Sequence, residues 1–270
     1  MSVKKNFIYN LSYQILVMIL PLITTPYISR VIGAEGVGIQ SYTYSIANYF
    51  VLFAMLGVNN HGNRSIAMVR NDQEKLNRTF TRFAMFISIG AMFGLIGVGK
   101  SIVPAFLGKG FERCIEVVSL LSITLLFMAW ANVIRTQILI PKKKDRVYII
   151  STLLGAIVNV VINTLLITKW GAIGAAIGTI FAEATVCIYQ TLMVRKELDI
   201  KNYLNNNVIF IISGIIMFLV IKYIEYILGN SLLTGVIQIF IGASVYCIIS
   251  VIYMIIVKYE LIINIINKRK

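Results

Sequence analysis

Two charged side chains interrupt otherwise apolar stretches of this chain. Glu183 lies in "GTIFAEATVCIYQ" and Arg135 in "ANVIRTQILIP". Ionisable groups in such surroundings are costly in a bilayer and face a cavity or a partner. Glu183 and Arg135 are therefore candidates for a substrate path or a coupling ion, with a structural partner on a neighbouring helix as the alternative. Asn159 and Asn163 are four residues apart and share a helix face. Amides at that depth hydrogen-bond across helices or line a hydrated path; packing is the expectation here. Lys222 and Glu225, three residues apart, read as a local ion pair or as snorkelling side chains. Arg30 stands in "TPYISRVIGAEGVGI", Thr25 to Ile39, beside three glycines that let a backbone turn and re-enter.

Other chemistry is missing from the pattern. There is no Gly-rich phosphate loop, no HExxH and no paired acidic motif, and the eleven acids are scattered. Cys114, Cys187 and Cys247 form no CxxC pair, and a lone His61 makes no His cluster. No catalytic residue, metal or cofactor is expected, and the reading is of a protein that is not an enzyme.

The elements that position these groups follow from composition. The chain has 270 residues, 58% hydrophobic and 13% charged, with a mean hydropathy of +0.83. A soluble domain is about a quarter charged. Apolar runs near the ~20 residues that cross a bilayer fall at about 7–28, 41–58, 83–103, 115–138, 147–168, 172–193, 207–228 and 232–257. The fold class is thus an all-α, polytopic transmembrane helical bundle of about eight spans. The first run has no small-residue cleavage site after it and reads as a span rather than a removed signal peptide. Lys169-Trp170-Gly171 makes a tight turn between the fifth and sixth runs. Gly174 with Gly178, and Gly90 with Gly94, have the spacing that lets helices approach closely. Pro21 and Pro26 are placed to bend the first run.

The net charge of +14 is carried in short clusters between runs, as in a membrane protein, so no nucleic acid is expected as a partner. With both termini cytoplasmic, eighteen Lys and Arg fall inside and five outside, the five being Arg30, Lys100, Lys109, Arg113 and Lys169. That asymmetry sets the orientation. The basic stretch 59–82, which contains Arg64, lies along the inner leaflet or simply fixes topology. Two units follow: residues 1–82, a two-helix hairpin with a basic cytoplasmic loop, and 83–270, a six-helix membrane bundle.

The segment "PYISRVIGAEGVGIQSYTYSIANYFVLFAMLGVNNHGNRSIA", Pro26 to Ala67, resembles the opening of Wzx-type polysaccharide flippases of the MOP superfamily. The segment Gln137 to Glu183 resembles a helix pair from the C-terminal half of the same family. The resemblance implies a MOP/MATE-like fold in part, lacking about six central spans of two lobes that rock around a midplane site. It implies movement of an undecaprenyl-diphosphate-linked oligosaccharide across the bacterial inner membrane for polysaccharide or O-antigen synthesis. The implied partners are the bilayer, that lipid-linked glycan, other polysaccharide assembly proteins and a second copy of the chain. Arginine suits a diphosphate, so Arg30, Arg64 and Arg135 become candidate substrate-binding cations and Glu183 a candidate for a coupling proton or sodium. The alternatives are a non-transporting remnant of such a flippase, a multidrug-type exporter of the superfamily, and a membrane enzyme of lipid-linked sugar metabolism.

Overall fold

The computed structural model describes residues 3–54, 73–108, 110–198 and 200–256, and the described residues contain no β-strand. Seven α-helices follow in order: α1 Val3–Ala54, α2 Gln73–Leu107, α3 Glu112–Ser122, α4 Thr124–Ile134, α5 Asp145–Val194, α6 Ile200–Leu228 and α7 Leu232–Ile256. Among the described residues, five stretches are long and apolar enough to cross a membrane: 81–105, 112–139, 145–194, 207–228 and 232–256. Hydropathy alone locates all five, because in a bilayer every backbone group must be satisfied within its own helix.

Helix α5 counts as two passes. Its backbone leaves the helical region at Gly171 (φ 53°, ψ −127°), a conformation that only glycine adopts without strain. The close approaches then step symmetrically about that residue. A Cβ on Gly174 would lie 2.6 Å from the Leu166 carbonyl oxygen, and one on Gly155 would lie 3.1 Å from that of Ala182. Further out, Gln190 Nε2 donates to Ser151 Oγ at 2.9 Å. These partners define an antiparallel hairpin whose arms touch through small residues. The turn read from Lys169-Trp170-Gly171 is therefore real, and Gly174 and Gly178 act in packing.

Helix α1 is also interrupted, at Gly33 (φ 69°, ψ −179°), which carries the one departure from helical backbone within it. A positive φ there suits a glycine, which has no side chain to clash. The first two predicted runs lie on either side of it, with residues 55–58 outside the described part. The predicted fourth run is a composite. Ile123 separates α3 from α4, and α4 passes into a π-helical turn, Arg135–Leu139. Such a turn adds one residue to the helical ring and is frequent at functional sites.

Packing binds α2 to α6 and α7. Phe86 stacks on Tyr246 (centroids 5.0 Å apart) and meets Phe210 edge-on, while the Tyr246 hydroxyl donates to the Phe86 carbonyl at 2.6 Å. A second cluster joins Ile39 of α1 to Cys114, Val117 and Leu121 of α3 and Ala176 of α5. This cluster holds the second half of α1 beside the α5 hairpin.

Candidate functional site

A cleft of about 330 Å³ opens between α1 and the two arms of α5. Each wall is a set of residues at helical spacing. Helix α1 supplies Gln40 and Tyr44; the first arm of α5 supplies Thr152, Gly155, Ala156 and Asn159; the second supplies Thr179, Ala182, Glu183 and Val186. Positions i, i+3, i+4 and i+7 fall on one helix face. Small residues at Gly155, Ala156 and Ala182 leave the room, and the amides, hydroxyls, phenol and carboxylate supply the polarity.

Glu183 is the charge of this cleft. Among the described residues no lysine or arginine lies within ion-pair distance of it. A carboxylate at membrane depth without a cation is costly. Asn159 shares the cleft, as Gln40 and Tyr44 do. Such a set can coordinate a proton or a small cation, or hydrogen-bond the hydroxyls of a sugar.

The other predicted residues divide. Asn163 lies behind the cleft, 3% exposed, and donates to Asn159 Oδ1 at 2.9 Å. Its own Oδ1 occupies the space that the missing Gly178 side chain leaves; a Cβ there would come within 2.2 Å. Packing is thus its role, while Asn159 faces the cleft. Arg135 begins the π-turn and stacks its guanidinium over the Tyr148 ring at 4.3 Å. Arg30 is exposed, three residues before the break at Gly33. Neither arginine lines the cleft. Arg64 lies outside the described residues. No cluster of three or more His, Cys, Asp or Glu suited to a metal occurs among the described residues.

Two other carboxylates are handled differently. Glu225 accepts from Lys222 Nζ at 2.6 Å, as expected from the sequence. It also lies 3.7 Å from Lys100 of α2, a partner that sequence spacing could not reveal. Glu197, just past α5, accepts from Lys142 Nζ at 2.6 Å and from Lys144 Nζ. Those two hydrogen bonds, Lys142 foremost, hold the Glu197 carboxyl below the usual carboxylate range. Sequence reading missed Gln40, Tyr44, Thr152 and Thr179. The available signal was polar or small residues at helical spacing within apolar runs.

A family model described as "Polysaccharide biosynthesis protein" matches residues 3–269. The chain belongs to that family. Two relatives align with part of it. One, an uncharacterized membrane protein of Methanocaldococcus jannaschii, is 34% identical over 94 residues, which is 34% of this chain and 18% of the relative. Another, named "Putative O-antigen transporter", from Escherichia coli K12, is 31% identical over 80 residues, 30% of this chain and 19% of the relative. The fold is similar to a solved lipid II flippase, MurJ, in an inward closed conformation. That likeness has a TM-score of 0.66 and 21% identity, covering 89% of this chain and 54% of that one. The chain is therefore a multi-pass membrane protein of the polysaccharide biosynthesis family with a fold similar to that of the solved flippase, of which it spans about half.

Proposed function

We propose that this protein acts as a flippase, moving an undecaprenyl-diphosphate-linked oligosaccharide across the bacterial inner membrane for polysaccharide or O-antigen synthesis. The family match over residues 3–269 carries the reading. The cleft supports it: one carboxylate without a cation partner among the described residues, set among amides and hydroxyls, suits coupled transport better than bond chemistry. In this proposal Glu183 takes the coupling proton or sodium, with Asn159, Gln40 and Tyr44 around it. The diphosphate is met away from the cleft by cations, with Arg30, Arg64 and Arg135 as the candidates. The uneven distribution of Lys and Arg favours cytoplasmic termini. The division into an N-terminal hairpin, 1–82, and a bundle, 83–270, belongs to the same proposal.

A non-transporting remnant of such a flippase is the second reading. Complementation separates the two. The chain is expressed in a strain lacking its own polysaccharide flippase, with the cognate glycan pathway supplied, and surface polymer is quantified. Polymer at the surface is the expected result. Its absence, with the protein present in the membrane, would favour the remnant. Replacing Arg30 with alanine and with lysine in the same assay tests the headgroup role, which fails if both variants export normally.

A further inference from the structure

The strongest feature outside the cleft is a basic patch assembled from two turns. One turn, 140–144, joins the π-turn to α5; the other, 195–198, follows α5. Glu197 staples them by accepting from Lys142 and Lys144, which lie 55 and 53 residues away in sequence. Six cations are thereby gathered at the open end of the α5 hairpin: Lys142, Lys143, Lys144, Arg146, Arg195 and Lys196. Two of them are spent on Glu197. Lys143, Arg146, Arg195 and Lys196 are exposed, and none has an ion-pair partner among the described residues. Lys143 holds a left-handed backbone (φ 51°), with its N–H committed to the Ile140 carbonyl at 3.1 Å.

The patch has an apolar margin. Ile140 is 47% exposed, Leu192 51% and Met193 49%. These residues flank the cations where the membrane-crossing stretches 112–139 and 145–194 end. An apolar ledge beneath a cationic rim, at the depth where a helix leaves the hydrocarbon, matches the amphiphilic form of a phospholipid. The phosphates found at that depth belong to the surrounding leaflet.

We propose that the two turns, stapled by Glu197, form a docking site for anionic phospholipid headgroups of the bilayer. The carboxylate is part of the site although its charge is of the wrong sign, because it holds the two basic segments in one place. A patch acting only as summed charge would bind anionic lipid more tightly once Glu197 is neutralised. A stapled site binds less tightly.

The test uses the purified full chain in detergent. Phosphatidylglycerol or phosphatidylcholine is titrated in, and retained lipid is counted by native mass spectrometry. Preferential retention of phosphatidylglycerol is expected. The triple variant K143Q/R195Q/K196Q, whose side chains are exposed, should weaken it on the order of a hundredfold. Glu197→Gln should weaken it about two- to fivefold, the range of an exposed ion pair, and Glu197→Asp should keep most of it. Tighter retention by Glu197→Gln would overturn the proposal, as would equal retention of the two lipids. Inorganic pyrophosphate, added as a competitor, distinguishes a soluble ligand. Strong binding of pyrophosphate with no preference between lipids would assign the patch to a free phosphate compound instead. If Glu197→Gln does not fold, the triple variant decides, and unchanged retention there also overturns the proposal.

Discussion

Glu183 and Glu225 are both carboxylates on membrane-crossing helices, and the molecule treats them in opposite ways. Glu225 is 13% exposed and held between Lys222 on its own helix and Lys100 on α2. Glu183 faces a cleft with amides, hydroxyls and a phenol around it and no cation among the described residues. Compensation marks a charge that contributes to the fold, since breaking a pair at such a depth strands the other partner. The uncompensated charge costs stability and is tolerated only where something else binds it. On the proposed function, the contrast separates a structural carboxylate from a functional one without reference to sequence motifs.

The largest effect expected on export from a protein that still folds tests the functional side. Glu183→Gln should reduce export on the order of tenfold or more, equivalent to about 1.4 kcal/mol, while thermal stability in detergent stays level or rises. Normal export together with a lower melting temperature would erase the contrast with Glu225. The largest effect on stability is expected at Gly174: Gly174→Ala pushes a methyl group against the Leu166 backbone, where a Cβ finds 2.6 Å. Overpacking of that kind costs about 3 kcal/mol, visible in a melting curve. It should also abolish export, because the cleft is built on the hairpin.

Glu225→Gln should cost about 2 kcal/mol through loss of its charge-assisted bonds, with export per folded molecule unchanged. A larger loss of export than of folded protein would move Glu225 into the transport machinery. The smallest effect concerns Glu197, whose clamp is exposed and contributes under about 1 kcal/mol. Its folded carboxyl titrates below its unfolded counterpart. The clamp therefore adds stability above the ordinary glutamate range and loses it as pH falls through the folded value. The stability difference between wild type and Glu197→Gln should shrink with acidification. A difference that grows instead would reverse the assignment.

The helical bundle and the position of Glu183 were legible in the sequence because hydrocarbon imposes a length and a polarity on every span. The Gly171 turn was legible too, since a glycine between two apolar runs has few other uses. The different roles of Asn159 and Asn163 were not. The two share a face, and what separates them is the bare backbone of Gly178 on the opposite arm. Gln40 and Tyr44 join the cleft only because Ile39 is packed against α3 and α5, a long-range contact that no local pattern encodes. Lys100 reaches Glu225, and Lys142 and Lys144 reach Glu197, for the same reason. The break at Ile123 and the π-turn at Arg135 left no mark that hydropathy can detect.

The turn at Gly171 also bears on how the protein is made. With only Lys169 and Trp170 before the turn, the two arms of α5 have no polar segment between them to rest in water. The two arms are then expected to enter the bilayer as one unit, touching through Gly155, Gly174 and Gly178. An isolated helix bearing Glu183 would pay about 3 kcal/mol to enter lipid. Entering as a pair, it would carry that carboxylate in on the cleft that Asn159 and Thr152 also line.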